Sequence, residues 1–131
     1  MAELGDTFLL ADVGINNHLF ILISDPALDP ARIVTANFTS WRADKDQSCI
    51  VEVGEHRFIK RRSCVYYGED RLITLPAYER LLASAHLVRH DPLTAALLAR
   101  VLSGAAGSPF LPLGNRQILA DQGLIDDGGH P

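Results

Sequence analysis

The chain has 131 residues, 47% of them hydrophobic and 21% charged, with a formal net charge of -4; this is one globular domain with a core to bury, and it excludes an intrinsically disordered chain. No apolar run approaches the roughly 18 residues of a membrane span, and the start Met1-Ala2-Glu3-Leu4-Gly5-Asp6 is acidic where a signal peptide would be basic, so no membrane association and a cytoplasmic location are expected. A pI near 5.6 excludes a general nucleic-acid coat, and Cys49 and Cys64 form no Cys-x-x-Cys pair, which leaves them as core residues rather than zinc ligands or a disulfide framework.

The first half of the chain reads as β. Strands are expected at residues 7–11, 18–24, 32–39, 48–53 and 63–67, separated by turn signals at Gly14 with Asn16-Asn17, at Asp25-Pro26 and Asp29-Pro30, across residues 44–46, and at Gly54 and Gly68. Short strands with such connections predict a strongly curved antiparallel sheet or barrel. Phe20-Ile21-Leu22-Ile23 is apolar throughout and belongs at its centre, covered on both sides. From Ile33 to Thr39 the pattern alternates, with Val34, Ala36 and Phe38 on the core face. Thr35, Asn37 and Thr39 then face either solvent or a cleft.

After Pro76 the period becomes helical. Pro76 suits a first helical position, and Tyr78, Leu81, Leu82 and Ala85 share one face. Asp91-Pro92 reads as the cap and start of a second helix carrying Leu93, Leu97 and Val101, with Gly104 as its stop. A loop is expected at 105–114, a third helix at 116–122 between Asn115 as cap and Gly123 as stop, and a frayed tail at 126–131. The expected class is α+β in one domain, residues 1–131, with a β part at 1–75 and a helical extension at 76–131.

One segment carries unusual charge. Gly54-Glu55-His56-Arg57-Phe58-Ile59-Lys60-Arg61-Arg62-Ser63 holds four of the 12 Lys and Arg beside a histidine, so an acidic chain presents a local positive site suited to a phosphate-bearing ligand. Each residue also has a plainer reading. Lys60-Arg61-Arg62 are also what an edge strand uses against sheet-to-sheet association. His56 is either a titrating group or a loop histidine satisfied by backbone, and His18, opening a strand after a turn, is either catalytic or a cap. Ser63 sits in no Gly-x-Ser-x-Gly elbow and reads as a hydrogen-bonding strand start. Trp41, beside Arg42, either stacks on a base or packs against the sheet. His86 and His90 are spaced i, i+4, but no Glu lies between them and Asp91-Pro92 follows, so no metal site is expected.

In register, Gly5-Asp6, then Asn17-His18-Leu19-Phe20-Ile21-Leu22-Ile23-Ser24, then Ile33-Val34-Thr35-Ala36-Asn37-Phe38-Thr39-Ser40, resemble the first three strands of the MazF/PemK family, the small toxins of bacterial toxin-antitoxin systems. Phe58 to Tyr67 is similar to that family's later loop and Ser-plus-apolar strand, and Gly54 to Ser63 matches the form Gly-acid-His-x-Phe-Ile-Lys-x-x-Ser of divergent PemK-like proteins. The resemblance covers a little over half of the chain. It implies an SH3-like antiparallel β-barrel followed by two or three C-terminal helices, a homodimer, an antitoxin partner, and cleavage of single-stranded RNA with no metal or other cofactor. Where the family places an Arg-Pro pair at the second strand, this chain has His18-Leu19, and Thr39 or Ser40 takes the position at the end of the third.

Such cleavage needs a base for the 2′-hydroxyl, an acid for the leaving oxygen and cations for the phosphorane. The expected catalytic residues are His18 and His56 as base and acid, Lys60 with Arg61 for the developing charge, and Thr39 on the phosphate. Arg57, Arg61, Arg62, Ser63 and Trp41 are the expected substrate-binding residues. Two alternatives stand beside the ribonuclease: an SH3-like barrel that binds RNA or protein without cleaving, and a structural subunit docking a partner through Leu81-Leu82 and Leu97-Leu98.

Overall fold

The computed structural model describes residues 2–11 and 18–126; the turn expected at Gly14, Asn16 and Asn17 and the tail beyond Asp126 lie outside the described residues. Strands β1 (Thr7–Leu10), β2 (Phe20–Leu22), β3 (Thr35–Ser40), β4 (Ile50–Val51) and β5 (Ser63–Tyr66) fall within the expected strands save for the last residue of β3. Helix α1 (Leu75–Ala83) follows, then β6 (Leu87–His90), α2 (Ala95–Gly107) and α3 (Leu113–Asp121). The class is α+β: a six-stranded antiparallel sheet in the order β4-β5-β3-β2-β1-β6, with three helices. The sheet is not closed, and β4 and β6 are its edges.

Of the apolar run at 20–23, Ile21, Leu22 and Ile23 are fully buried, as β2 lies between β1 and β3, whereas Phe20 is only half-buried because its face of the sheet is incompletely covered. Registers Phe8↔Phe20↔Asn37↔Tyr66 put these four side chains on one face. The opposite face carries Ile21, Ala36, Phe38 and Val65, which pack with Leu97, Val101, Ile118 and Leu119 of α2 and α3 in the main core. On the Phe8 face α1 covers only the β1–β6 end, where Tyr78 joins Phe8, Leu22 and Leu87. The β3–β5 end of that face stays open. Even so, Asn37 is buried there and Thr35 beside the α1 side, so these two polar residues of β3 are not on a solvated outer face.

Four expectations about the second half are corrected. The stretch after α1 does not continue as helix toward a metal-type His pair: residues 87–90 are a strand antiparallel to β1, Phe8 opposite Arg89 and Leu10 opposite Leu87. The helical extension therefore contributes a strand. Helix α1 stops because Ser84 caps it and Ala85 turns left-handed, φ 62°, with His86 N–H bonded to Leu81 O at 3.0 Å and Ala85 N–H to Leu82 O at 3.2 Å. That is a Schellman motif with alanine where glycine is usual. Second, α2 is capped by Thr94, whose side chain accepts from Leu97 N–H at 3.2 Å, and not by Asp91. Third, Gly104 does not end α2; a Cβ there would lie 2.5 Å from Tyr67 Oη and 2.8 Å from Cys49 Cβ, so this glycine serves close helix–strand approach. Fourth, α3 begins at Leu113, and Asn115 is buried within it, its Nδ2 donating to Glu69 O at 2.8 Å. Gly123, at φ 72°, does close α3. Among the described residues no helix is long and apolar enough to cross a membrane.

A cationic cleft beside an apolar cavity

The end of β3 fixes the site. Pairing with β5 puts Thr39 opposite Cys64 and Ser40 opposite Ser63, so the loop from Gly54 to Arg62, which feeds β5, arches beside the last residues of β3. Between them is a cleft of about 610 Å3 lined by His18, Thr39, Ser40, Lys45, Lys60, Arg61 and Ser63 with the apolar residues Phe38, Phe58 and Ile59. His18, Thr39, Lys60, Arg61 and Ser63 therefore line one cleft, and His56 is not among its lining.

Within the cleft the partners define roles. His18 Nδ1 lies 3.2 Å from Phe38 O, and since a carbonyl only accepts, Nδ1 carries the proton and the neutral ring keeps its lone pair on Nε2. Nε2 has no partner among the described residues. Lys45 Nζ donates to Thr39 Oγ1 at 2.8 Å and to Ser40 O at 2.9 Å, holding an ammonium against the hydroxyl. Lys60 and Arg61 are exposed and have no ion pair or side-chain hydrogen bond among the described residues. Ser63 Oγ donates to Arg61 O at 2.9 Å, which steadies the turn into β5 rather than offering a nucleophile.

The remaining expected residues are elsewhere. His56 is buried outside the cleft: Nδ1 accepts from Phe58 N–H at 3.0 Å and Nε2 donates to Asp91 O at 2.6 Å. Both ring nitrogens are used by backbone, and the ring braces the basic loop against the segment between β6 and α2. Arg57 pairs with Asp91 at 3.3 Å. Arg62 pairs with Glu52 at 3.0 Å and lies 5.5 Å over the Trp41 ring, whose Nε1 donates to Gln47 Oε1 at 2.7 Å. These four residues build the frame of the loop.

Lys45 is the residue that charge counting misses. It sits between Asp44 and Asp46, a triplet of net negative charge that reads as a solvated turn. The fold separates the three. Asp46 accepts from Ser48 and, with its other oxygen, from Ser108 at the end of α2, while Asp44 pairs with Arg42 at 3.3 Å, which leaves Lys45 directed at Thr39.

A second cavity of about 470 Å3 adjoins the cleft on the open sheet face and shares His18, Thr39 and Lys45 with it. Cys64 forms part of its wall; burial pushes its thiol above the ordinary range against the weaker opposing charge of Lys45, which disfavours the thiolate. Among the described residues no group of three or more His, Cys, Asp and Glu side chains is placed to hold a metal ion, and His86 and His90 flank or end a strand. Compared with known proteins, the chain matches no family model, no curated protein and no solved structure.

Proposed function

We propose that the protein is a PemK/MazF-like ribonuclease toxin that binds the backbone of single-stranded RNA in the cationic cleft and cleaves it without a metal. The observation that carries this reading is the convergence of a tautomer-fixed imidazole, a hydroxyl and three cations, Lys45, Lys60 and Arg61, on one cleft of an acidic chain. In the proposed reaction His18 Nε2 takes the proton of the 2′-hydroxyl, the 2′-oxygen bonds to phosphorus, and the bond to the 5′-oxygen breaks, leaving a 2′,3′-cyclic phosphate. Thr39 and Lys45 hold a non-bridging oxygen, Arg61 stabilises the phosphorane, and the Lys60 ammonium protonates the leaving oxygen. The short strands β1 to β5 are read as the counterpart of the SH3-like barrel of the resembling family, and a cytoplasmic homodimer neutralised by an antitoxin goes with that reading.

One observation favours the alternative, a barrel that binds RNA without cleaving it: His56 is held by backbone, so the cleft has one imidazole among its described residues. A single assay separates the readings. Wild-type protein is titrated with a fluorescent single-stranded ribo-oligonucleotide across a salt series, and the RNA is then resolved by length. Salt-sensitive binding with cleavage, and at least a hundredfold slower cleavage by His18→Gln at unchanged affinity, supports the ribonuclease. Binding without cleavage selects the alternative, and no binding at low salt overturns both.

A further inference from the structure

The cavity beside the cationic cleft has chemistry the cleft lacks. Its walls are mainly apolar, with the exposed aromatics Tyr66 and Phe110 from two distant parts of the chain. Asn37, also on the wall, is 7% exposed, and its carboxamide makes no hydrogen bond among the described residues, so a donor and an acceptor are both available there. Lys45, at the border with the cleft, is the cavity's one cation among the described residues, whereas Asp44 and Asp46 stand on its rim. That balance repels a phosphate and suits a planar, uncharged ring with polar edges. At Gly68 a Cβ would overlap the Tyr66 hydroxyl and ring, so the glycine leaves room for the ring where it lies.

We infer that this cavity is a nucleobase subsite, holding the base of the nucleotide whose phosphate occupies the adjoining cleft. Tyr66 and Phe110 offer stacking surfaces, Asn37 reads the base edge, and Asp44 favours an exocyclic amino group. His18, Thr39 and Lys45 line both spaces, so the two adjoin, as a base and its own phosphate require. The inference rests on the cleft binding RNA, and it adds that the protein selects nucleotides through the open end of the sheet.

The test compares two probes of equal length, a mixed-sequence single-stranded ribo-oligonucleotide and its abasic ribose-phosphate counterpart, titrated into wild type, Phe110→Leu and Tyr66→Leu. Wild type is expected to bind the base-bearing probe on the order of tenfold more tightly, as for one base–aromatic stack. Both variants should shrink that ratio while leaving abasic binding unchanged, and Asn37→Ala should change the ranking among the four homopolymers. Phe110 is 53% exposed, so its variant keeps the fold. If both probes bind and the ratio is the same in wild type and both variants, the base subsite is wrong and the phosphate cleft stands. If neither probe binds, the cleft reading falls and this inference with it.

Discussion

His56 satisfies two backbone groups at once, the Phe58 N–H and the Asp91 carbonyl, and it does so while buried. Only the neutral ring with its proton on Nε2 fits both, so its chemistry is spent on structure. His56→Ala leaves both groups without a partner and is expected to cost about 2 kcal/mol, read as a lower urea midpoint, while the folded variant still binds RNA. Lys45→Ala should do the reverse. Its ammonium serves the cleft through Thr39, so stability changes little while the log–log salt dependence of RNA binding loses about 0.7 of slope, the share of one phosphate contact on a single strand. The imidazole was visible in the sequence and its role was not, because that role belongs to Asp91, 35 residues away. For Lys45 the flanking acids hid the cation, and only the fold gives them partners of their own, Arg42 for Asp44 and Ser108 for Asp46, so that the ammonium reaches Thr39.

Among the elements, α1 and α3 end in the same way, yet only one of the two ends carries a local sequence signal. Helix α3 ends with Gly123 left-handed and bonds from Leu124 N–H to Leu119 O at 2.9 Å and Gly123 N–H to Ala120 O at 2.9 Å, so its glycine is a visible stop. Helix α1 ends in the same bonding pattern with Ala85, whose methyl group carries no such signal, and the helical periodicity runs on past the true end and conceals β6. Ala85→Gly should therefore stabilise the protein by roughly 1 kcal/mol, the relief of a left-handed L-residue, seen as a higher thermal midpoint. Gly104 misleads in the opposite sense. It looks like a stop yet sits inside α2 against Tyr67 and Cys49, so Gly104→Ala should destabilise by about 1–3 kcal/mol through overpacking. Gly107→Ala, with nothing within 4 Å of the added methyl, is the control expected to be neutral or slightly stabilising.

Across the whole molecule, acidic pairs anchor the basic loop and the approach to α1. Hydrogen bonds from Arg100 hold the Glu55 carboxyl below its ordinary value of 4.5, and Arg71 does the same for Glu69. Carboxyls depressed in the folded state contribute stability above the unfolded value and lose it as pH falls through the folded value. The urea midpoint should accordingly fall on acidification below about pH 4.5, and the fall should be shallower in the Glu55→Gln, Glu69→Gln double variant. Both pairs join residues distant in sequence or at a loop base, and their strength is a property of the folded surface. By itself the sequence determined the α+β class, the β-rich first half, the interior place of Ile21 to Ile23, the glycine stop at Gly123 and a local run of cations on an acidic chain, because periodicity, turn chemistry and charge are local. The tertiary structure decided that the sheet takes a sixth strand from the helical half, that His56 braces while His18 lines the cleft, and that Lys45, Asn37, Tyr66 and Phe110 meet beside it. Those facts depend on strand register and on which end of a sheet face a short helix leaves uncovered, and neither is written in any local stretch of residues.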